Sequence, residues 1–473
     1  MTHQETQWET KAQKLFKGAV VHKLLARTAG LPRLPQYVVE YLVANHVTPK
    51  HAQRDLHKVR ERVAEVLPEA EKRELFKAEL LNRGKLLIFD KMDVSVDMKS
   101  GEFVGTLTHM GLTKVKVPKK MVKRIPRLLT GGTWGAIELR YHPGEGRASG
   151  SVEAYAMTAF QQAATPLKQY IRKRGAFSTA EWLDLLLTSV GYAPKAYPDR
   201  RSKLLMLMRL LPAIEPNYNS IELGPRQTGK TYLLRNLSPS VYTASGAQVT
   251  AASLFANAAT GALGIVGTYK IVVLDEIAHT RFDSPSTVSA MKDYMESGQF
   301  ARGGRTYSSD SSIVLAGNID VAGRMPSSMY RHLFEPLPSE LEDTAFLDRV
   351  HAYIPGWEIP KIDAHSISTG YGLSVDYLSQ VMQELRDRDF RYACHSVDLQ
   401  AALPQATHRD LVAVEKTTSG MLKLLHPDGK YTGQELSDLV RFAVEHRVRV
   451  VEQLSTMAPG EFHTHTQASG GAA

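Results

Sequence analysis

The chain has 473 residues, 43% hydrophobic and 23% charged, the composition of a soluble protein of several domains. No apolar run reaches the roughly 18 residues of a membrane span, and the polar start MTHQETQWETKAQ lacks a signal-peptide core, so the expectation is a cytoplasmic protein with no membrane partner. The lone cysteine, Cys394, excludes a disulfide framework and a cysteine-rich zinc site, and a net charge of +9 permits a nucleic-acid partner without demanding one.

Residues 1–85 read as an amino-terminal helical region, since KLFKGAVVHKLL, QYVVEYLVANHV and EAEKRELFKAELLNRG repeat apolar residues every three or four positions. Residues 86–161 change to short alternating runs broken by Gly, Pro and Asp: KLLIFDKMDVSVDMKS, GEFVGTLTHMG, LTKVKVP, TWGAIELRYHP and SVEAYAMTAFQ. Such a set of strands predicts a small OB-like barrel, with a meander or sandwich as alternatives. Between its strands Lys114, Lys116, Lys119, Lys120, Lys123, Arg124 and Arg127 form a basic run without an acid, able to track a phosphate backbone or to serve as a solvated face. Arg172, Lys173 and Arg174 form a weaker cluster.

Residues 162–212 read as a helical linker. Ser178 and Glu181 have capping-box spacing, and the Met/Leu stripe of RSKLLMLMRLL reads as core packing. Residues 213–356 alternate strand and helix, predicting an α/β core on a parallel sheet. Residues 357–456 are helical again, and 457–473 form a polar tail expected to be disordered, with His463 and His465 solvated rather than metal-bound.

The chemistry concentrates in the α/β segment. GPRQTGKT (Gly224, Pro225, Arg226, Gln227, Thr228, Gly229, Lys230, Thr231) fits the phosphate-loop pattern G-x-x-x-x-G-K-S/T between an apolar strand and a helix. Gly224 and Gly229 permit the tight coil that turns backbone N–H groups toward phosphates, and the following helix adds its positive end. Lys230 is expected at the β- and γ-phosphates and Thr231 on Mg²⁺. IVVLDE then supplies Asp275 for the same ion and Glu276 to polarise the attacking water. SSIVLAGNID ends in Asn318, expected beyond the carboxyl end of its strand as a sensor of the γ-phosphate.

Two arginines complete the candidate set. Arg349, at the end of TAFLDR, is a candidate finger reaching a neighbouring subunit's nucleotide. Arg409, at the start of HRDLVAVE, is a candidate second sensor acting in cis or in trans. SGQFARGGRTYSSD turns at Gly303–Gly304 and predicts a hairpin that projects Arg302 and Arg305 toward a central pore.

These residues together resemble the BrxL family of AAA+ proteins from BREX bacteriophage-defence systems. The resemblance runs through most of the chain, including YVVEYLVANHV, GGTWGAIELRYHP, EWLDLLLTSVGY and ELGPRQTGKTYLLRNLSP. The distinctive stretches, which generic ATPases do not share, are VVLDEIAHTRF, MKDYMESGQFARG, LDRVHAYIPGWEIPK and TSGMLKLLHPDGKYT. The resemblance implies an AAA+ ring, expected to be hexameric and able to stack in pairs around duplex DNA, acting with other BREX components against phage DNA replication. It makes 213–356 the AAA+ core and 357–456 its helical lid. The layout is also similar to MCM replicative helicases, whose pre-sensor hairpin lies where MKDYMESGQFARGGRTYSSDSSIVLAGN stands.

Two departures matter. MCM amino-terminal domains usually carry a cysteine zinc site, which Cys394 alone cannot build. Many BrxL proteins add a carboxy-terminal protease-like domain, whereas only a short polar stretch follows the last predicted helix here, so peptidase activity is not expected. The resulting expectation is a multidomain α/β protein: a P-loop AAA+ ATPase core with a helical lid, preceded by a helical region and an OB-like barrel, using ATP and Mg²⁺ to translocate on or clamp duplex DNA. The alternatives are a protein-remodelling unfoldase without peptidase activity, for which Phe300 and Tyr307 are the pore aromatics, and a scaffold whose ATP binding only sets assembly.

Overall fold

A computed structural model describes residues 5–144, 149–160, 167–246, 248–399 and 403–462; His463 and His465 lie outside them. The described chain forms two compact units.

The smaller unit comprises residues 16–160 with 374–377. After α1 (Gln7–Leu15), which belongs to the larger unit, it holds three main helices: α2 (Gln36–His46), α3 (Ala52–Val66) and α4 (Arg73–Arg83). Helix α4 stops at Gly84, whose φ of +68° is the left-handed conformation that ends helices. The chain then enters β1 (Lys85–Asp97), β2 (Glu102–Leu107), β3 (Leu112–Lys116), α5 (Lys119–Arg124), β4 (Thr133–His142) and β5 (Ser151–Ala159). The strands close into a barrel in the order β1-β2-β3-β5-β4. Closure depends on the length of β1: its first half pairs with β4 and its second with β2. Inward residues Ile88, Met92, Leu107, Val115, Ile137, Leu139 and Met157 fill the interior, with Phe76 and Leu80 of α4 and Met121 of α5 packed into the same core.

The larger unit comprises residues 5–15, 167–373 and 378–462. Glu9 of α1 accepts the Tyr371 N–H at 2.9 Å and Lys11 pairs with Glu181 at 3.0 Å, so this first helix packs far along the chain from its neighbours in sequence. Its next elements are α6 (Leu167–Arg174), α7 (Thr179–Ser189), opened by the Ser178–Glu181 capping box, and α8 (Arg200–Met208). The sheet follows: β6 (Ser220–Gly224), α9 (Lys230–Leu237), β7 (Val241–Ser245), β8 (Ile271–Asp275), α10 (Pro285–Ser297), a hairpin of β9 (Gln299–Arg302) and β10 (Arg305–Ser308), then β11 (Ser312–Asn318), α11 (Thr344–Leu347) and β12 (Ala352–Pro355). The central strands run parallel in the order β12-β6-β11-β8-β7. Residues Val272, Val273 and Leu274 are wholly buried, as expected of a parallel strand covered on both faces. Two long helices end the unit: α12 (His408–Leu425) and α13 (Gly433–Met457), each opened by a Thr capping box.

Candidate active site

Parallel strands deliver their carboxyl ends to one edge of a sheet. Strand β11 lies between β6 and β8, with Asn318 in register with Gly224 and Leu315 with Leu274. The GPRQTGKT loop, Asn318 and the Asp275–Glu276 pair therefore share that edge.

The loop is locked from below. A Cβ on Gly224 would lie 2.6 Å from the Gly356 backbone, so only glycine fits. Gln227 and Gly229 both take positive φ, +69° and +72°, which coils the chain into α9. Lys230 folds back over the coil: its Nζ donates to Gly224 O at 3.0 Å, Pro225 O at 2.8 Å and Asn318 Oδ1 at 3.3 Å. Burial pushes the Lys230 ammonium pKa down, against the opposing pull of Glu222. Three carbonyl-type acceptors on one ammonium are weak partners beside a phosphate, so the side chain is poised to exchange them.

Asp275 is half-buried at the end of β8, and the exposed Glu276 follows. Glu276 takes φ +50° and ψ +46°, uncommon for a residue with a Cβ. Its N–H donates to Asp275 Oδ1 at 3.0 Å, and its Oε2 accepts from Ser245 Oγ at 3.0 Å. Such strain persists where the surroundings over-determine it.

The two arginines lie elsewhere. Arg349 precedes β12, at the amino-terminal edge of the sheet, because Ala352 is in register with Ser220. Four strand residues separate that edge from Gly224, on the order of 13 Å of rise. Arg349 Nε pairs with Glu296 at 3.2 Å, and Arg409 pairs with Glu296 at 2.9 Å and Asp348 at 2.7 Å. The structure thus brings Lys230, Asn318, Asp275 and Glu276 together and brings Arg349 and Arg409 together, but not the two groups to each other.

The basic run divides by role. Lys114, Lys116, Lys119, Lys120 and Lys123 are exposed. Arg124 donates to Met157 O at 2.6 Å and Arg127 to Asp376 at 3.3 Å, so both help hold the barrel unit. Arg174, grouped by sequence with the second basic cluster, is buried and donates to Leu425 O and Phe177 O, each at 2.7 Å. The hairpin forms as its turn demands: Gly303 and Gly304 have φ +56° and +72°, and Arg302 pairs with Arg305 across them. Arg305 is exposed and Arg302 half-buried.

Some supporting residues are not evident from the sequence. Arg209 forms a fully buried double contact with Glu222, at 2.9 and 2.5 Å, and donates to Thr228 O at 2.9 Å. This pair anchors the floor of the loop; its only signal is a charge inside RSKLLMLMRLL and another inside the strand. Ile362 N–H donates to Gln227 O at 2.8 Å, and a Cβ on Gly229 would lie 2.8 Å from the Tyr192 hydroxyl, so two distant segments border the loop.

Taken together, the parallel sheet and its loop fit an ATPase-type α/β domain. Residues 152–468 match the family described as Lon-like protease BrxL-like, ATPase domain, and residues 14–141 match the BREX system Lon protease-like protein BrxL N-terminal family. The chain belongs to the BrxL family. It is 37% identical over 454 residues to the Lon-like protease BrxL of Escherichia coli O9:H4 (strain HS), covering 94% of this chain and 64% of that protein. It is 35% identical over 459 residues to the Lon-like protease BrxL of Bacillus cereus (strain H3081.97), covering 95% of this chain and 67% of that protein. The chain therefore spans about two thirds of the length of these relatives. The match to an ATPase-domain family over 152–468 fits ATP use by this segment. Among the described residues no helix is long and apolar enough to cross a membrane.

Proposed function

We propose that this chain is an AAA+ ATPase that assembles as a hexameric ring on duplex DNA and uses ATP to translocate on it or clamp it in BREX defence. The observation that carries the reading is the Lys230–Asn318 contact at 3.3 Å beside Asp275 and Glu276, four side chains gathered at the carboxyl ends of three adjacent strands.

The donor set fits a nucleoside triphosphate with Mg²⁺. The glycine-coiled loop has no room for side chains beneath it, Lys230 has only neutral acceptors to give up, and Thr231 and Asp275 offer hard oxygen ligands. Mg²⁺, when bound, neutralises phosphate charge. Lys230 holds the terminal phosphates, Asn318 orients them, and Glu276 accepts the proton of the attacking water. Arg349 and Arg409 lie too far from this loop to serve it, which supports their supply to a neighbour's site. The exposed lysines 114, 116, 119, 120 and 123, with Arg305 at the hairpin tip, are the proposed contacts to DNA phosphates.

The unfoldase alternative is less well supported. Phe300 is 3% exposed and stacked on Tyr307 at 5.3 Å, so the hairpin turns its aromatics inward. The test is steady-state ATP hydrolysis while duplex DNA is titrated at fixed, moderate salt. We expect stimulation by DNA, loss of nucleotide binding in Lys230→Ala, and binding with turnover lowered by about 10²-fold or more in Glu276→Gln. Normal turnover by the Gln variant would reassign the water-activating residue; hydrolysis indifferent to DNA would favour a protein substrate.

A further inference from the structure

Glu296 is the penultimate residue of α10. Its Oε2 accepts a hydrogen bond from Arg409 Nε at 2.9 Å and lies 3.2 Å from Arg349 Nε as an ion pair. The other carboxylate nearby is already committed: Asp348 takes Arg409 at 2.7 Å and the buried Arg447 at 2.7 Å, and Arg447 is fixed in turn by Asp410 at 2.7 Å. Glu296 has no such brace, and its side chain is 43% exposed, so its ion pairs are of the weak, replaceable kind. Arg349, Arg409 and Glu296 line one cleft of about 110 Å³.

Glu296 is also tied to the hairpin. Helix α10 ends at Gly298, with φ +70°, and β9 begins at the next residue. Ser309 N–H donates to Gly298 O at 2.9 Å, and Gln299 N–H to Ser297 Oγ at 3.0 Å, so both legs of the hairpin are bonded to the last turn of the helix. A movement of Glu296 is therefore a movement at the hairpin stem.

We infer that Glu296 is a positioning residue that holds Arg349 and Arg409 while the neighbouring site lacks a triphosphate, and that its release when phosphate oxygens compete for those guanidiniums transmits nucleotide occupancy to the β9–β10 hairpin. The inference rests on the proposed supply of the arginines in trans. Phosphate oxygens carry more charge than one carboxylate and match the guanidinium fork, so they win the exchange once a neighbour presents them.

The experiment compares ATP hydrolysis by the full chain as wild type, Glu296→Gln, Glu296→Asp and Arg349→Ala, with and without duplex DNA, alongside thermal midpoints. Removing the competing charge lowers KM for ATP in Glu296→Gln by roughly two- to fivefold, the scale of one half-exposed ion pair, and brings the DNA response toward none. Glu296→Asp, which keeps the charge, recovers part of both. The inference is overturned if Glu296→Gln keeps wild-type KM and DNA response while Arg349→Ala loses hydrolysis. It is overturned equally if Glu296→Gln lowers kcat and the thermal midpoint together with KM unchanged, the pattern of a structural residue. Full activity in Arg349→Ala would instead sink the trans-arginine reading beneath it; a wild type that ignores DNA would remove DNA as partner, while the KM shift still decides the role of Glu296.

Discussion

Arg209 and Glu222 show how much a single buried pair can carry. Both side chains are almost wholly shielded from water, and the pair's third hydrogen bond reaches Thr228 O in the phosphate-type loop. Breaking such a pair leaves an uncompensated charge, a loss of about 3–5 kcal/mol, whereas replacing both partners with apolar residues is far milder. Arg209→Met is therefore expected to lower the thermal midpoint and weaken ATP binding, and Arg209→Met with Glu222→Met to recover much of the stability; calorimetry and nucleotide titration on both variants check this. Glu445 offers a pH test. Burial pushes its carboxyl up, but Arg201 at 2.5 and 2.6 Å, with Arg449 at 2.9 Å, holds it net down, at about 2 against an ordinary 4.5. A depressed folded pKa stabilises above the unfolded value and is lost as pH falls. Glu445→Gln is thus expected to lower the thermal midpoint at neutral pH and to flatten its decline between pH 4.5 and 2, read from midpoints across that window.

At the level of elements, the hairpin separates two costs that sequence alone merges. Gly303 and Gly304 both need positive φ, but a Cβ on Gly303 would lie 2.4 Å from Ala258 O, whereas one on Gly304 meets nothing within 4 Å. Gly304→Ala should bear only the left-handed penalty, about 1–2 kcal/mol. Gly303→Ala must also push the hairpin off the 256–263 segment, so its midpoint should fall further and DNA-stimulated hydrolysis should fall with it; thermal melts and DNA titrations on the two variants compare them directly. The strands were legible because their patterns are strong: IVVL is a continuous apolar run closed by two carboxylates, and the barrel strands alternate between Gly, Pro and Asp breaks. The Gly-Gly turn and the Ser178–Glu181 capping box were legible for the same reason, since each is a local demand on backbone geometry. What local patterns did not reveal is that Arg124, Arg127 and Arg174 bond to Met157, Asp376 and Leu425. A basic run looks uniform until distant acceptors select which members are spent on the fold.

For the whole molecule, the separation of the two arginines from the loop makes a prediction about mixed subunits. If Arg349 acts on a neighbour, Lys230→Ala and Arg349→Ala subunits, each inactive alone, should recover part of wild-type hydrolysis when mixed, because some interfaces then pair an intact loop with an intact arginine. Absence of recovery, with assembly verified by sedimentation, would place Arg349 outside catalysis. DNA-stimulated turnover should also fall steeply as salt rises if the proposed contacts to DNA phosphates carry the binding.

The GPRQTGKT loop, the order of helical, β and α/β segments, and the strand ends bearing Asp275, Glu276 and Asn318 can be read along the chain, because they depend on local spacing and on backbone needs of a few neighbouring residues. So can the family, through motifs spread along the chain. Long-range packing, by contrast, makes the barrel close through the long β1, sets α1 against residues more than 160 positions away, as Lys11 against Glu181, and places Arg209, Tyr192 and Ile362 around the loop. The same packing puts Arg349, Arg409 and Glu296 in one cleft at the opposite sheet edge. Contacts between residues far apart in the chain follow from how apolar surfaces pack and from which buried charges must find partners, and neither condition can be read from spacing along one segment.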